Sequence, residues 1–506
     1  MSADPDDLNL LLLTFDQLRA DAVLGPLAEA VPTPAFDRLR ASATNFSDHV
    51  TVTAPCGPAR ASLLTGLHPS NHGALRNGTP LAKGLTNLAF QLREAGREPL
   101  LFGYTDAAPD PDDAHPADPA LASYEGVLPG FREVVEMRFE SPSTWLAHLS
   151  KRGYALPRPL PKRLFDLQIP VAEGRAPNPS DPAPYRAEDS ETAFLMDELL
   201  AHLEVRRDAP WTAHAAFIRP HPPFVAPAPF NRAVAPSAVP PRTPAHPDHP
   251  FVRAWFSERS SFGTWMLFNG DCAGLPEQTI AELRAVYLGL VAECDHHLGR
   301  LLDWLEATGQ AGRTLLVVTS DHGEMLGDGR MWGKASVFDP AFRIPLMIRD
   351  PRRPESHGRA VSAKTESVDV APTILDLLGR PVPPPWDGRS LRPFLDGAAP
   401  EAWRDAQLME IDFAEPEAPT RFQRAWGTGP RDSGAAILRA SRWKLVRFAG
   451  PQPPLLFDLE ADPRETTDLA PARPDVVAEM TEALLRRRLA QAGRARAHLA
   501  IGVGTP

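Results

Sequence analysis

Asp16 and Gln17 follow one apolar run of the chain, residues 8–14, with Phe15 between, and Asp321 and His322 follow another, residues 315–319, with Ser320 between. Two carboxylates, an amide oxygen and an imidazole form a hard, mostly oxygen donor set that suits a divalent cation. The imidazole tilts the choice from Ca2+ toward Mn2+. Taken singly, Asp16 reads as a turn or helix-cap aspartate and His322 as a satisfied core histidine. Taken together at corresponding strand ends, they read as metal ligands. Two further apolar runs end the same way, residues 100–102 in Gly103-Tyr104-Thr105-Asp106 and residues 212–218 in Arg219-Pro220-His221-Pro222-Pro223-Phe224. His221 lies between prolines on a loop, which holds it rigidly and favours function over a core role. The stretch "VTAPCGPARASLLTGLHPSNHG", residues 52–73, adds Cys56, flanked by Pro55 and Pro58 and four residues ahead of Arg60. A free cysteine is usually a small buried hydrophobe. That reading suits Cys272 and Cys294 and suits the punctuation around Cys56 poorly.

These residues need a scaffold that converges them. Five short apolar runs (8–14, 100–102, 212–218, 315–319 and 344–348) have the texture of strands buried on both faces, as in parallel sheets. Between them lies helical periodicity, clearest from Ile280 through Leu283, Val286, Leu290, Cys294, Leu298 and Leu301 to Leu305. A second helix is expected from near Pro372 to Gly379. The alternation predicts an α/β fold, a large central, mixed but mostly parallel sheet flanked by helices. Ligands of such sheets bind outside the carboxyl ends of the strands, where all four polar clusters fall. Beyond "PPPWDGRSLRPFLDG" the texture changes. "AAILRASRWKLVRF" and "PPLLFDLEADP" read as antiparallel strands, followed by a helix from Asp475 to about Arg488. The expected division is a catalytic α/β domain at 1–395 and a smaller α+β domain at 396–506, ending in an arm, "AGRARAHLAIGVGTP", that could pack on another subunit of a homo-oligomer.

The chain has 506 residues, 43% hydrophobic and 23% charged, within the ordinary range of a folded globular protein. A net charge of −11 argues against nucleic-acid binding, which needs a basic surface, while a local cationic cluster still admits a small anionic substrate. Three cysteines do not make a disulfide framework. The start "MSADPDDLNLLLLTFDQ" has acids where a signal peptide carries Lys or Arg, and no apolar stretch reaches membrane-spanning length. The expectation is a cytoplasmic protein with no membrane partner. The 57 prolines cluster in loops between apolar runs and read as stiffened connections. His296 and His297 are adjacent on a helix and point about 100° apart, so they read as structural or solvated. "DAAPDPDDAHPADP" lacks the spaced Gly and Glu of a calcium loop and reads as a solvated loop.

Cys56-Gly57-Pro58-Ala59-Arg60, continued by Ala61-Ser62-Leu63-Leu64-Thr65-Gly66, resembles the type I sulfatase signature, whose cysteine a dedicated enzyme oxidises to formylglycine. "ESVDVAPTILDLLG", "WDGRSLRPFL" and "LLFDLEADPRETTDLA" resemble later landmarks of that family in the family's order. Within the alkaline phosphatase superfamily, "DQ", "CGPARASLLTG", "RPHPPF", "SDHGE" and Gly333-Lys334 are most similar to the phosphonate monoester hydrolases. The resemblance implies a hydrolase of phosphonate monoesters and phosphodiesters with sulfatase activity, acting through a covalent ester of hydrated formylglycine. It implies one divalent metal ion, Mn2+ or Ca2+, at Asp16, Gln17, Cys56, Asp321 and His322. It also implies catalytic roles for Cys56, Arg60, His221 and Lys334, and substrate contacts from Tyr104, Asp106, His221 and Lys334. The partners implied are a small anionic ester and a formylglycine-generating enzyme. The Gly-Lys-x-His motif of many sulfatases is absent, since "FGYTDAAPDPDD" holds no lysine. Asp106 departs from the small hydroxyl residue of the phosphonate branch, and a carboxylate there disfavours doubly charged substrates. A dedicated aryl or alkyl sulfatase, a non-catalytic sulfatase-like protein and a phosphatase or phosphomutase of the same superfamily are the competing readings. The intact ligand set and Cys56 argue against the last two.

Overall fold

Successive side chains of the first apolar run enter two different cores. Leu11, Leu13 and Phe15 join one cluster, and Leu8, Leu10 and Leu12 join the other. Leu316 and Val318 divide from Leu315 and Val317 in the same way. Period-two alternation between two buried faces makes these strands the centre of a sheet covered on both sides, each fully buried leucine contributing about 1.5–3 kcal/mol. In the computed structural model, which describes residues 5–161, 167–170, 172, 174–175, 177–258, 272–415 and 418–492, that sheet has eight strands.

In chain order the strands are β1 (Asn9–Phe15), β2 (Thr44–Phe46), β3 (His49–Val50), β4 (Pro99–Gly103), β5 (Arg132–Glu136), β6 (Thr212–Phe217) and β7 (Thr314–Thr319). They continue with β8 (Leu346–Arg349), β9 (Ala360–Val361), β10 (Thr365–Glu366), β11 (Gln407–Asp412), β12 (Gly434–Arg439), β13 (Trp443–Phe448) and β14 (Leu455–Asp458). The large sheet runs β5-β4-β6-β1-β7-β8-β2-β9, and β3 pairs with β10 apart from it. The neighbours β4, β6, β1 and β7 are mutually parallel, so their carboxyl ends share one edge. One expectation needs correcting. The run 344–348 has the texture of the parallel strands, but β8 lies antiparallel to β7. The chain leaves β7 at that shared edge and re-enters the sheet from it, through turns and the short helix Asp339–Phe342, without the long crossover a parallel return needs. Apolar content on both faces carries no information about strand direction.

The helix Glu277–Ala307 covers one face, with its predicted stripe fully or almost fully buried, Cys294 included. The Cys272 side chain lies outside the described residues. Helices Cys56–Thr65 and Val370–Leu377 cover the other face. The latter begins two residues before Pro372, behind a turn closed reciprocally by Glu366 and Asp369, and stops where Gly379 takes a left-handed φ of 69°. The strands β11-β12-β13-β14 form a four-stranded antiparallel sheet. Met409, Ile437, Val446 and Phe457 on one of its faces belong to the core of the large sheet. Leu408, Leu438 and Leu445 on the other meet Val476, Met480 and Leu484 of the helix Pro474–Gln491. The expected terminal arm, from residue 493 on, lies outside the described residues. No helix among the described residues is long and apolar enough to cross a membrane.

Candidate active site

The four adjacent strands deliver their terminal residues to one place. β1 ends into Asp16 and Gln17, β7 into Ser320, Asp321 and His322, β4 into Tyr104 and Asp106, and β6 into Arg219 and His221. Ser320 ties two of these ends together, its hydroxyl donating to Phe15 O (2.7 Å) and accepting from Leu18 N (3.0 Å). Gln17 turns away from the strand at a φ of 67°, which presents its backbone N–H to Asp321 Oδ1 at 3.1 Å. Asp106 also has positive φ, 52°. Two non-glycine residues in the left-handed region within one site are a strain that the surrounding hydrogen bonds must hold. Gly323 makes the opposite accommodation, since a Cβ there would sit 2.1 Å from Pro340 O.

Cys56 opens the helix Cys56–Thr65, and Arg60 lies one turn further along the same helix. Arg60 is 1% exposed. It donates from Nε to Asp321 Oδ2 (3.0 Å), from Nη2 to Asp16 Oδ2 (2.9 Å) and from Nη1 to Tyr104 O (2.9 Å), with Asp106 Oδ2 3.4 Å from Nε. Its Cζ lies 3.9 Å from the Tyr104 ring centroid, and the Tyr104 hydroxyl donates to Asp16 Oδ2 at 2.6 Å. Arg60 and Tyr104 thus spend their polar groups on the carboxylates and the backbone of the site. Burial pushes the Asp321 carboxyl up, but His322, Arg60 and Lys334 outweigh it and leave it below the usual carboxylate range. Burial, reinforced by Asp16 and Asp321 against the pull of Arg60, raises Asp106 to about 7.

His322 Nδ1 donates to Gly323 O at 3.1 Å, which leaves Nε2 as a bare lone pair 3.2 Å from Cys56 Sγ. Burial holds that ring down at about 4, so it stays neutral and able to ligate. Lys334 Nζ donates to Cys56 Sγ (2.9 Å) and to Gln17 Oε1 (3.0 Å). Although burial opposes its charge, Cys56, Asp16 and Asp321 keep it a cation. Burial and Asp16 push the Cys56 thiol well up, which makes an unmodified thiol here a poor nucleophile. His221 lies in the same neighbourhood, its ring held well below its ordinary value by burial and by Lys334. Its Nδ1 donates to Pro222 O at 2.6 Å and its ring meets the Phe139 edge.

Three supporting residues carry no role in the sequence reading. Glu324 accepts from the Gln17 side-chain amide and from Leu326 N and Gly333 N, so it joins Gln17 to the loop bearing Lys334. Asn77 accepts from Gly57 N at 2.9 Å beside Cys56, and its only sequence signal is an Asn-Gly turn. Arg219 is 1% exposed and donates to His221 O, Pro223 O and Val225 O while pairing with Glu191 at 2.6 Å, which fixes the loop that carries His221. Elsewhere, His72 meets Ser62 Oγ at 2.9 Å and His297 Nδ1 lies 3.1 Å from Arg300 Nη1, both away from this cluster.

The donor set fits a divalent cation. One atom each from Asp16, Cys56, Asp321 and His322 lie within 4.8 Å of one another. Asp16 Oδ1 is buried without any hydrogen-bond partner, 3.8 Å from His322 Nε2. A buried carboxylate oxygen left open is costly unless something cationic meets it. Asp106 Oδ1 is a second buried carboxyl oxygen without a hydrogen-bond partner in the same cluster.

Residues 9–380 match the family described as Sulfatase, and residues 327–491 match the N-sulphoglucosamine sulphohydrolase C-terminal family. The chain is 37% identical, over 97% of its length and 97% of the relative's, to the multifunctional alkaline phosphatase superfamily protein PehA of Trinickia caryophylli. Its structure is similar to the phosphonate monoester hydrolase from Silicibacter pomeroyi, with a TM-score of 0.91 and 43% identity over 97% of each chain. It is also similar to the phosphonate monoester hydrolase of Agrobacterium radiobacter, with a TM-score of 0.87 and 38% identity over 96% of each chain.

Proposed function

The chain belongs to the sulfatase family, within the alkaline phosphatase superfamily, and is a hydrolase of ester bonds; from that premise we propose that it cleaves phosphonate monoesters and phosphodiesters, with sulfate esters as a further class. In this reading residue 56 works as formylglycine, made by a dedicated oxidising enzyme, and one divalent ion, Mn2+ or Ca2+, completes the site. The observation that carries it is the convergence of Asp16, Cys56, Asp321 and His322 around a carboxylate oxygen left open. Whole-length likeness to two phosphonate monoester hydrolases and the missing Gly-Lys-x-His motif favour the phosphonate branch over a dedicated sulfatase.

Asp16, Gln17, Asp321 and His322 would hold the ion beside residue 56, where it supplies Lewis-acid charge to the oxygens of the transferring group. As a hydrated aldehyde, residue 56 would supply one hydroxyl for attack on phosphorus or sulfur, with the ester's alcohol as leaving group, and a second whose deprotonation would re-form the aldehyde and break the C–O bond to the transferred group. The chain's own residues do the rest. Arg60 holds the two ligating carboxylates apart and screens their repulsion. Lys334, cationic beside residue 56, meets the oxygens on which charge develops. His221 keeps Nδ1 on Pro222 O and so leaves Nε2 for substrate; an arriving anion would raise its basicity and make it a proton donor to the leaving oxygen.

A panel of one phosphonate monoester, one phosphodiester and one aryl sulfate, each with the same leaving group, tests the reading. The expected result is turnover of all three, with the two phosphorus substrates ahead. Turnover of the sulfate alone would replace the reading with a dedicated aryl or alkyl sulfatase.

A further inference from the structure

The loop that carries His221 is short of hydrogen-bond donors. Pro220, Pro222 and Pro223 have no backbone N–H, so three of the six residues 219–224 cannot contribute one. One side chain makes up the shortfall. Arg219 Nη1 donates to His221 O (3.0 Å) and Pro223 O (2.9 Å), and Nη2 donates to Val225 O (3.2 Å) and to the Tyr185 hydroxyl (3.4 Å). Its Nε lies 2.6 Å from Glu191 Oε1. All five N–H groups of a buried guanidinium are thereby engaged.

That grip extends to the imidazole. Pro222 O accepts from His221 Nδ1 at 2.6 Å, which fixes the tautomer and the direction of the ring. It lies between the two carbonyls that Nη1 holds, so a tilt of either neighbouring peptide moves Pro222 O and turns the ring with it. Glu191 in turn keeps Arg219 in place. It is the first residue of the helix Glu191–Val205, where the helix N-terminus favours a carboxylate, and it is 2% exposed. Gln168 Nε2 donates to the same Oε1 at 2.8 Å. Burial opposes the charge on Arg219, and Glu191, ahead of Tyr185, outweighs it. A second carboxyl, Glu293, is raised to about 8 by burial and by Glu191, so it keeps its proton at neutral pH and leaves Glu191 to balance the guanidinium.

We propose that Glu191 is a positioning residue for the hydrolysis: through Arg219 it fixes the loop carbonyls that aim the His221 ring at the leaving oxygen. The proposal rests on the reading of His221 as the proton donor.

Two aryl phosphodiesters that differ only in the leaving group, para-nitrophenol or unsubstituted phenol, test it. The weakly basic nitrophenolate departs with little need of a proton, while phenolate needs one. Read as kcat/KM, His221→Ala should lose about 10²-fold or more on the phenyl ester and at most about threefold on the nitrophenyl ester. Glu191→Gln keeps the shape and removes the charge. It should repeat that split at reduced size, about tenfold against about twofold or less. The rate on the nitrophenyl ester in the same preparation counts folded enzyme, so misfolding cannot imitate the split. Glu191→Asp, which keeps the charge, should recover part of the loss on the phenyl ester. In a His221→Ala background, Glu191→Gln should add no further split, because the two act as one unit. Equal losses on both esters in Glu191→Gln, or an undiminished split in the His221→Ala background, would overturn the proposal while the donor role of His221 stands. Equal losses in His221→Ala would overturn the donor role itself and this proposal with it.

Discussion

Two of the clusters of buried arginines and carboxylates among the described residues differ in how far their carboxylate oxygens are engaged. In the first, beneath β10 and β11, Asp369 accepts from Arg404 twice, from Glu366 N and from Arg389 N, while Glu366 accepts from Arg487 and from Leu408 N. No carboxylate oxygen of Asp369 or Glu366 is left over. In the second, around Arg60, Asp16 Oδ1 and Asp106 Oδ1 are buried with no partner. Both clusters are buried, charged and held by arginine. Carboxylates whose oxygens are all engaged lock segments of chain together; a carboxylate oxygen left open is a receptor for something the chain does not supply.

The sharpest way to break that contrast is to neutralise one carboxylate of each. Asp16→Asn should lower kcat/KM on a phosphodiester by on the order of 10³-fold and strip the bound metal, while the fold survives, because an amide oxygen still accepts from Arg60 and Tyr104. Hydrolysis rates with metal content read together check this. Lys334→Ala, next in size, should cost about 10²–10³-fold in kcat while metal content holds. Asp369→Asn should do the reverse. It leaves Arg404 buried with half its partner, so unfolding in urea should show a loss of about 3–5 kcal/mol, with kcat per folded molecule unchanged. If Asp369→Asn hit activity and spared stability, the contrast would be wrong.

Smaller effects sharpen it. Asp106→Asn removes one of three carboxylates facing Arg60, so efficiency on a doubly charged phosphate monoester should rise by about threefold or more relative to a singly charged phosphodiester. An unchanged ratio would mean that Asp106 faces away from substrate. The smallest effect belongs to His68, whose Nε2 lies 3.6 Å from Glu366 Oε2. Burial pulls its ring down, but Glu366, Asp387 and Glu410 prevail and raise it above the ordinary value of about 6.5. A group raised on folding stabilises fully below its unfolded value and loses that contribution as pH climbs through its folded value. Urea midpoints should therefore fall as pH rises above neutrality, and His68→Gln should flatten that slope.

The sequence made the receptor legible because it sits at strand ends, where a buried apolar run stops and polar residues begin. Asp16, Gln17, Asp321 and His322 could be read from that junction, and Cys56 and Arg60 from the spacing of a motif. What escaped was direction and support. Nothing in the apolar run 344–348 says that β8 runs against β7. Glu324, Asn77 and Arg219 act by holding other residues, through hydrogen bonds to backbone and amide groups, and such roles have no periodicity. The cluster around Asp369 was equally hidden, since Glu366, Asp369, Arg404 and Arg487 come from separate segments whose meeting depends on the docking of the small sheet.

Mass spectrometry of the proteolytic peptide containing residue 56, taken from enzyme of known specific activity, tests the whole account most directly. An aldehyde or its hydrate in place of the Cys56 thiol, in a fraction that rises and falls with activity across preparations, is the expected result. A fully active preparation whose residue 56 keeps its sulfur would contradict it.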